Sequence, residues 1–212
     1  MRLAHVVVPL ALALSLAPRL ATSRPLAASP LTINEFLAGP ARDWDGSGAF
    51  SSRDDEWVEL RNGDASPLDL AGYLVTDGDS IPRFALSGTL GPGGRLVVFG
   101  SAAYAWERAN GYPAFGLSLG NGGDAVLLWR VAGPDTVLVD SYAYGSHEAA
   151  ADRSVGRLDD SGPWVLFDGL DPYSGSTAPV GTHCDPTPGA ANACATTGTR
   201  TGQWGRIKAL YR

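Results

Sequence analysis

Charge is scarce in this 212-residue chain. Only 18% of its residues are charged, and fifteen of the sixteen basic ones are arginine, with Lys208 the single lysine. A glycine-rich phosphate loop followed by lysine is therefore excluded, and with it a P-loop nucleotide site. Two cysteines and three histidines, none at metal-ligand spacing, leave no zinc tetrad. No heptads occur, so there is no coiled coil. The longest apolar run, residues 5–17, has 13 members; a transmembrane helix needs ~20.

Glycine and proline are abundant instead. Gly 27 and Pro 15 make up about a fifth of the chain, which excludes helix bundles and helical repeats. At 44% hydrophobic residues the composition is also too apolar for disorder. The N-terminus reads as an export leader. Arg2 supplies the positive start, residues 5–17 the apolar run, and Ala21-Thr22-Ser23 the small residues of a cleavage site before Arg24. The expected organisation is a leader over 1–23, a short linker over 24–30, one domain over 31–195, and a linker with a basic tail over 196–212.

Without residues 1–23 the chain keeps 14 basic and 22 acidic residues, a net of −8. Residues 196–212 hold Arg200, Arg206, Lys208 and Arg212 and no acid, so the body between carries about −12. Such a surface repels nucleic acid phosphates. In the tail, Trp204, Ile207, Leu210 and Tyr211 recur at helical spacing, so residues 203–212 are either a small basic amphipathic helix or a frayed extension. Cys184 and Cys194 enclose nine residues, and export places them in an oxidising compartment, so a disulfide is expected.

The body alternates short apolar segments with turn clusters. Strands are expected over 31–37, 56–61, 72–76, 84–86, 95–100, 125–131, 136–144, 154–158 and 164–167, separated by turns such as Asn62-Gly63-Asp64 and Gly91-Pro92-Gly93-Gly94. Trp57 and Glu59 alternate with Val58 and Leu60, the pattern of a half-buried strand. The continuous run 95–99 suits a strand buried on both faces. Only 101–110 reads as helix, with Ser101 as its cap and Asn110-Gly111 as its stop. About nine strands and one short helix argue an all-β, antiparallel β-sandwich.

Several blocks together resemble the lamin tail domain. They are Ile33-Asn34-Glu35, Asp55-Glu56-Trp57-Val58-Glu59-Leu60-Arg61-Asn62, Leu68-Asp69-Leu70-Ala71-Gly72-Tyr73, Gly91-Pro92-Gly93, Gly123-Asp124-Ala125-Val126-Leu127-Leu128, Asp140-Ser141-Tyr142 and Thr187-Pro188-Gly189-Ala190-Ala191-Asn192. They occur in family order across about 31–195. The resemblance implies an immunoglobulin-like β-sandwich, and a non-catalytic module that binds or tethers at the cell surface or in the extracellular matrix. The alternatives are a secreted hydrolase using Ser118 and a purely structural envelope protein. The expected partner is a surface or matrix protein or a polysaccharide. With no rod, nuclear functions do not carry over.

Three constellations carry chemistry. Gly116-Leu117-Ser118-Leu119-Gly120 matches the G-x-S-x-G nucleophile elbow, and Asp140 with His147 or His183 would complete a hydrolase triad in order. The elbow needs a helix next, however, and Asn121-Gly122-Gly123-Asp124 leads into an apolar strand. Glu56 and Glu59 lie three apart on a strand and so face opposite sides, which excludes an acid/base pair. Trp44, Tyr104, Trp106 and Tyr173 are either core filling or a binding platform.

The loop at 43–54 can be counted against a twelve-residue calcium loop. Asp43, Asp45 and Ser47 fill positions 1, 3 and 5, and Gly48 falls at the sharp turn. The Ala49 carbonyl, Ser51 and Asp54 take positions 7, 9 and 12. The stretch is either a structural calcium site or a solvated acidic loop.

Overall fold

The computed structural model describes residues 29–194. The leader at 1–23, most of the 24–30 linker and the tail at 196–212 lie outside the described residues. The first strand, β1 (Leu31–Leu37), pairs antiparallel with β2 (Trp57–Asn62), and β2 with β7 (Arg95–Phe99). On its other side β1 meets β10 (Ser154–Arg157), which pairs with β11 (Trp164–Phe167). These five strands form one sheet in the order β11-β10-β1-β2-β7.

The second sheet runs β5-β4-β8-β9. It comprises β4 (Tyr73–Thr76), β5 (Pro82–Ala85), β8 (Gly123–Ala132) and β9 (Asp135–Gly145). Ile33, Phe36, Val58, Leu60 and Val98 of the first sheet share one buried cluster with Tyr73, Val75, Val126, Leu128 and Tyr144 of the second. Each such side chain contributes roughly 1.5–3 kcal/mol by leaving water. The expected antiparallel sandwich is what forms.

Two further strands, β3 (Leu68–Asp69) and β6 (Thr89–Leu90), pair with each other. At two residues each they are too short to show a period, which is why the sequence suggests nine strands and the described residues hold eleven. A second difference concerns burial. Trp57, Val58, Glu59 and Leu60 are all fully buried, because loops cover the outer face of the first sheet; Trp44, for one, packs over Trp57 at a ring separation of 6.1 Å. Conversely, β7 is the sheet's edge strand and most of it is only half-buried, so its apolar run does not mark burial on both faces.

Pairing in β1 slips between Ile33 and Glu35, which leaves Asn34 as an extra, bulged residue. In a regular strand Ile33 and Phe36 would face opposite sides. The bulge lets both enter the core and turns Asn34 and Glu35 together to the outer face. Only Glu35 and Phe36 of β1 have partners in β10. Further along that edge a side-chain pair replaces a strand: the Ile33 N–H donates to Asp140 at 3.0 Å, and Arg157 Nε donates to the Ile33 carbonyl at 3.0 Å.

The one α-helix among the described residues, α1 (Gly100–Asn110), stops at Gly111 in the left-handed region (φ 76°), a conformation glycine adopts freely. Ser101 is not its cap, contrary to expectation. The helix starts a residue earlier, after Phe99, with no side-chain cap. Its first amides instead donate to carbonyls of the loop before β2, Gly100 N to Glu56 at 2.8 Å and Ser101 N to Asp54 at 3.1 Å. An ion cluster ties the helix to the second sheet. Arg83 of β5, 2% exposed, meets Glu107 at 3.0 Å, Asp77 at 2.8 Å and Asp79 at 2.7 Å. The other Glu107 oxygen accepts the Phe115 and Gly116 amides.

Removing Arg83 would strand two buried carboxylates, which costs far more than the ion pair itself contributes. Arg83→Met should therefore destabilise the domain by roughly 3–5 kcal/mol in denaturant unfolding. A loss under about 1 kcal/mol would mean that water reaches this cluster.

Candidate functional site

The outer face of β1 and β2 carries polar residues under a lid of later chain. Asn34, Glu35, Glu59 and Asn192 are all fully buried. Asn34 donates to Glu59 at 2.7 Å and to the Asn192 side-chain Oδ1 at 3.1 Å, while Asn192 Nδ2 donates back to the Asn34 backbone carbonyl at 3.1 Å. Gly189 N donates to Glu59 at 2.6 Å. Glu35 accepts the Thr187 amide at 3.0 Å and the hydroxyls of Thr187 and Ser154 at 2.5 Å each. The lid, residues 187–192, lies inside the loop closed by the Cys184–Cys194 disulfide, whose Cα atoms stand 5.6 Å apart.

Burial raises Glu35 to about 7, against the lowering effect of the Ser154 and Thr187 hydrogen bonds. Burial likewise lifts Glu59 above its ordinary value. Asp160, at the rim, behaves oppositely. Burial pushes its carboxyl up, but the Asn192 amide, Asn34 and Arg95 together hold it below the usual range.

Glu56 faces the other way, as its spacing from Glu59 requires, and is buried too. It accepts the Leu119 amide at 3.1 Å and the Ser118 amide; burial raises it to about 8. So both glutamates are structural anchors. Ser118 sits at φ 59° in a turn that runs into β8 rather than a helix, and its backbone amide is turned to Glu56. His147 lies against Tyr173 and 4.0 Å from Glu148, and His183, largely exposed, lies 3.7 Å from Asp168. Asp140 is engaged with Ile33 and Arg157. No elbow forms at Ser118.

The aromatic residues pair locally rather than forming one platform. Trp44 donates its Nε1 to Asp152 at 2.8 Å, and Tyr104 carries the Arg53 guanidinium at 3.8 Å. Trp106 stacks on Tyr112 at 5.3 Å, and Tyr173 packs on His147 at 5.1 Å.

In the acidic loop, Asp43 accepts the Ser47 amide at 3.1 Å and the Gly48 amide at 2.7 Å, and Asp45 accepts the Ser47 amide at 2.9 Å. The Ser47 hydroxyl donates to the Ala49 carbonyl at 3.1 Å. Asp54, counted from the sequence as the last position, instead pairs with Arg53 at 2.7 Å. The neighbouring Asp55 takes its place: oxygens of Asp43, Asp45 and Asp55 lie within 4.8 Å of one another. Asp55 is fully buried and accepts the amides of Trp44, Asp45 and Ser51.

The sequence model of the Lamin Tail Domain family matches residues 24–146, more than half of the chain. The chain belongs to the lamin tail domain family. The match takes in β1 to β9 and α1. The β10 and β11 strands and the disulfide-closed lid lie beyond it, so the second half of the buried network comes from outside the matched span. No curated protein matches the chain. Among the described residues, no helix of this lamin tail domain is long and apolar enough to cross a membrane.

A carboxyl whose folded pKa lies above its unfolded value holds its proton more tightly when folded. Its contribution is complete below pH ~4.5, the unfolded range, and disappears as pH rises through the folded value. Stability of this domain should therefore fall between pH 5 and 8, with Glu35 acting up to about 7 and Glu56 up to about 8. Glu35→Gln, always neutral, should flatten the lower part of that fall in unfolding curves taken across the range. An unchanged slope would show that Glu35 titrates normally.

Proposed function

We propose that this lamin tail domain protein is an exported, non-catalytic module that binds or tethers at the cell surface or in the extracellular matrix. What carries the reading is how its reactive-looking groups are engaged. Glu35, Glu56, Glu59 and Glu107 all accept backbone amides inside the fold, and Ser118 opens onto a turn. The arrangement serves rigidity rather than turnover. Export is supported by the apolar run at 5–17 and by the paired Cys184 and Cys194, since such bonds persist in oxidising compartments. The basic segment 203–212 serves as the attachment element, because its charge opposes that of the acidic body.

Calcium is the proposed structural ion of the loop that holds Asp43, Asp45, Ser47 and Ala49, with Asp55 in the place first assigned to Asp54. The Ser101 hydroxyl and the Ser47 amide hold the Asp45 carboxyl below its ordinary value, so it meets a cation charged. Oxygen donors of this kind suit a hard divalent ion. Millimolar calcium should raise the melting temperature, and Asp45→Ala should abolish the gain. Calorimetry without heat at millimolar calcium would contradict it.

The function itself is tested by retention. Washed whole cells, immobilised polysaccharide and DNA are each incubated with the full chain and with a chain lacking 203–212. The expected result is retention on cells or polysaccharide but not DNA, reduced by the deletion while the melting temperature stays unchanged. Equal retention of both forms, or capture by DNA alone, would overturn the reading.

A further inference from the structure

At one margin of the first sheet, beside the edge of β1 that β10 leaves unpaired, there is a cavity of about 480 Å³. Thr32 and Arg61 are register partners on β1 and β2, so their side chains stand side by side at its wall. Arg157, Asp140 and Asp160 complete the charged lining, and Ser161 adds a hydroxyl.

The charges are unevenly matched. Asp140 accepts the amides of Ile33 and Ser141 and pairs with Arg157 at 3.2 Å. Asp160 accepts Asn34 at 3.0 Å and the Asn192 amide at 3.1 Å, and pairs with Arg95. Glu59, beneath, is bound to Asn34 and Gly189. Arg61 is left over. Its Nε is buried with no hydrogen-bond partner, and its one carboxylate neighbour among the described residues, Asp160, stands 3.8 Å away. A buried guanidinium N–H without an acceptor is costly, so such a group calls for a ligand or ordered water.

We propose that this cavity binds a small hydroxylated monocarboxylate, of the sugar-acid class, through Arg61. A carboxylate presents two coplanar oxygens that match the guanidinium fork. A dianion such as phosphate would meet repulsion from Asp140 and Asp160. An α-amino acid would bring an ammonium to carboxylates that are already paired. Ligand hydroxyls, by contrast, meet the hydroxyls of Thr32 and Ser161, which can both donate and accept. The assignment deepens the tethering reading by giving it a ligand, yet it is tested on the free sugar acid, apart from retention on cells.

Glucuronate is titrated into the full chain and followed by calorimetry or amide chemical shifts, with glucose, glycine and inorganic phosphate as comparisons. Saturable binding of glucuronate alone is expected. Arg61→Gln, checked for an unchanged melting temperature, should weaken it about tenfold or more. Ser161→Ala, a surface change that leaves the fold intact, should weaken it by a smaller factor. Absence of saturable glucuronate binding, or binding indifferent to both variants, overturns the site. Glycine or phosphate binding as tightly as glucuronate overturns the ligand class.

Discussion

Two carboxylates buried on the outer face of adjacent strands set the terms for the rest of this domain. Glu35 and Glu59 are register partners on β1 and β2, close enough to oppose each other's ionisation. A buried carboxyl without partners would cost several kcal/mol. Thr187 and Gly189 supply those partners from a distant part of the chain, while Asn192 bonds Asn34 between them. The disulfide between Cys184 and Cys194 closes the loop that carries all three, which reduces the entropy lost when the loop settles. The lid and the first two strands therefore form one unit: neither surface is satisfactory without the other.

The same device recurs at the opposite face. Glu56 anchors the turn at Ser118 and Leu119 through its amides, and Glu107 anchors Phe115 and Gly116 while holding Arg83. In each case a buried glutamate in or next to a regular element fixes an irregular segment by accepting its backbone N–H groups. For a chain this rich in glycine and proline, that is an effective way to order loops whose own propensities favour many conformations. It also accounts for how few polar groups remain for chemistry. Arg61, whose Nε is buried without a hydrogen-bond partner, is one that stays incompletely engaged.

Much of this was legible in the sequence. The bounds expected for β1 and β11 match the structure, as do the antiparallel sandwich and the disulfide, because apolar periods and turn residues are local signals. The opposed faces of Glu56 and Glu59 followed from strand geometry alone. The burial of Trp57 and Glu59 did not, since it depends on loops contributed by Trp44 and residues 187–192. Ser101 misled because the carbonyls of Asp54 and Glu56 already satisfy the helix start. The acidic loop was counted in register to Asp54, but the salt bridge with Arg53 draws that side chain away and Asp55 turns in. The Arg61 cavity had no sequence signal, because a missing partner is visible only in three dimensions.

If the lid and the paired strands are one cooperative unit, amide hydrogen exchange reports it most directly. The Thr187 and Gly189 amides, each bonded to a buried glutamate, should exchange only through global unfolding, at the rate of the Val58 amide in β2. Exchange of these two lid amides at surface-loop rates, with Val58 still protected, would contradict the account.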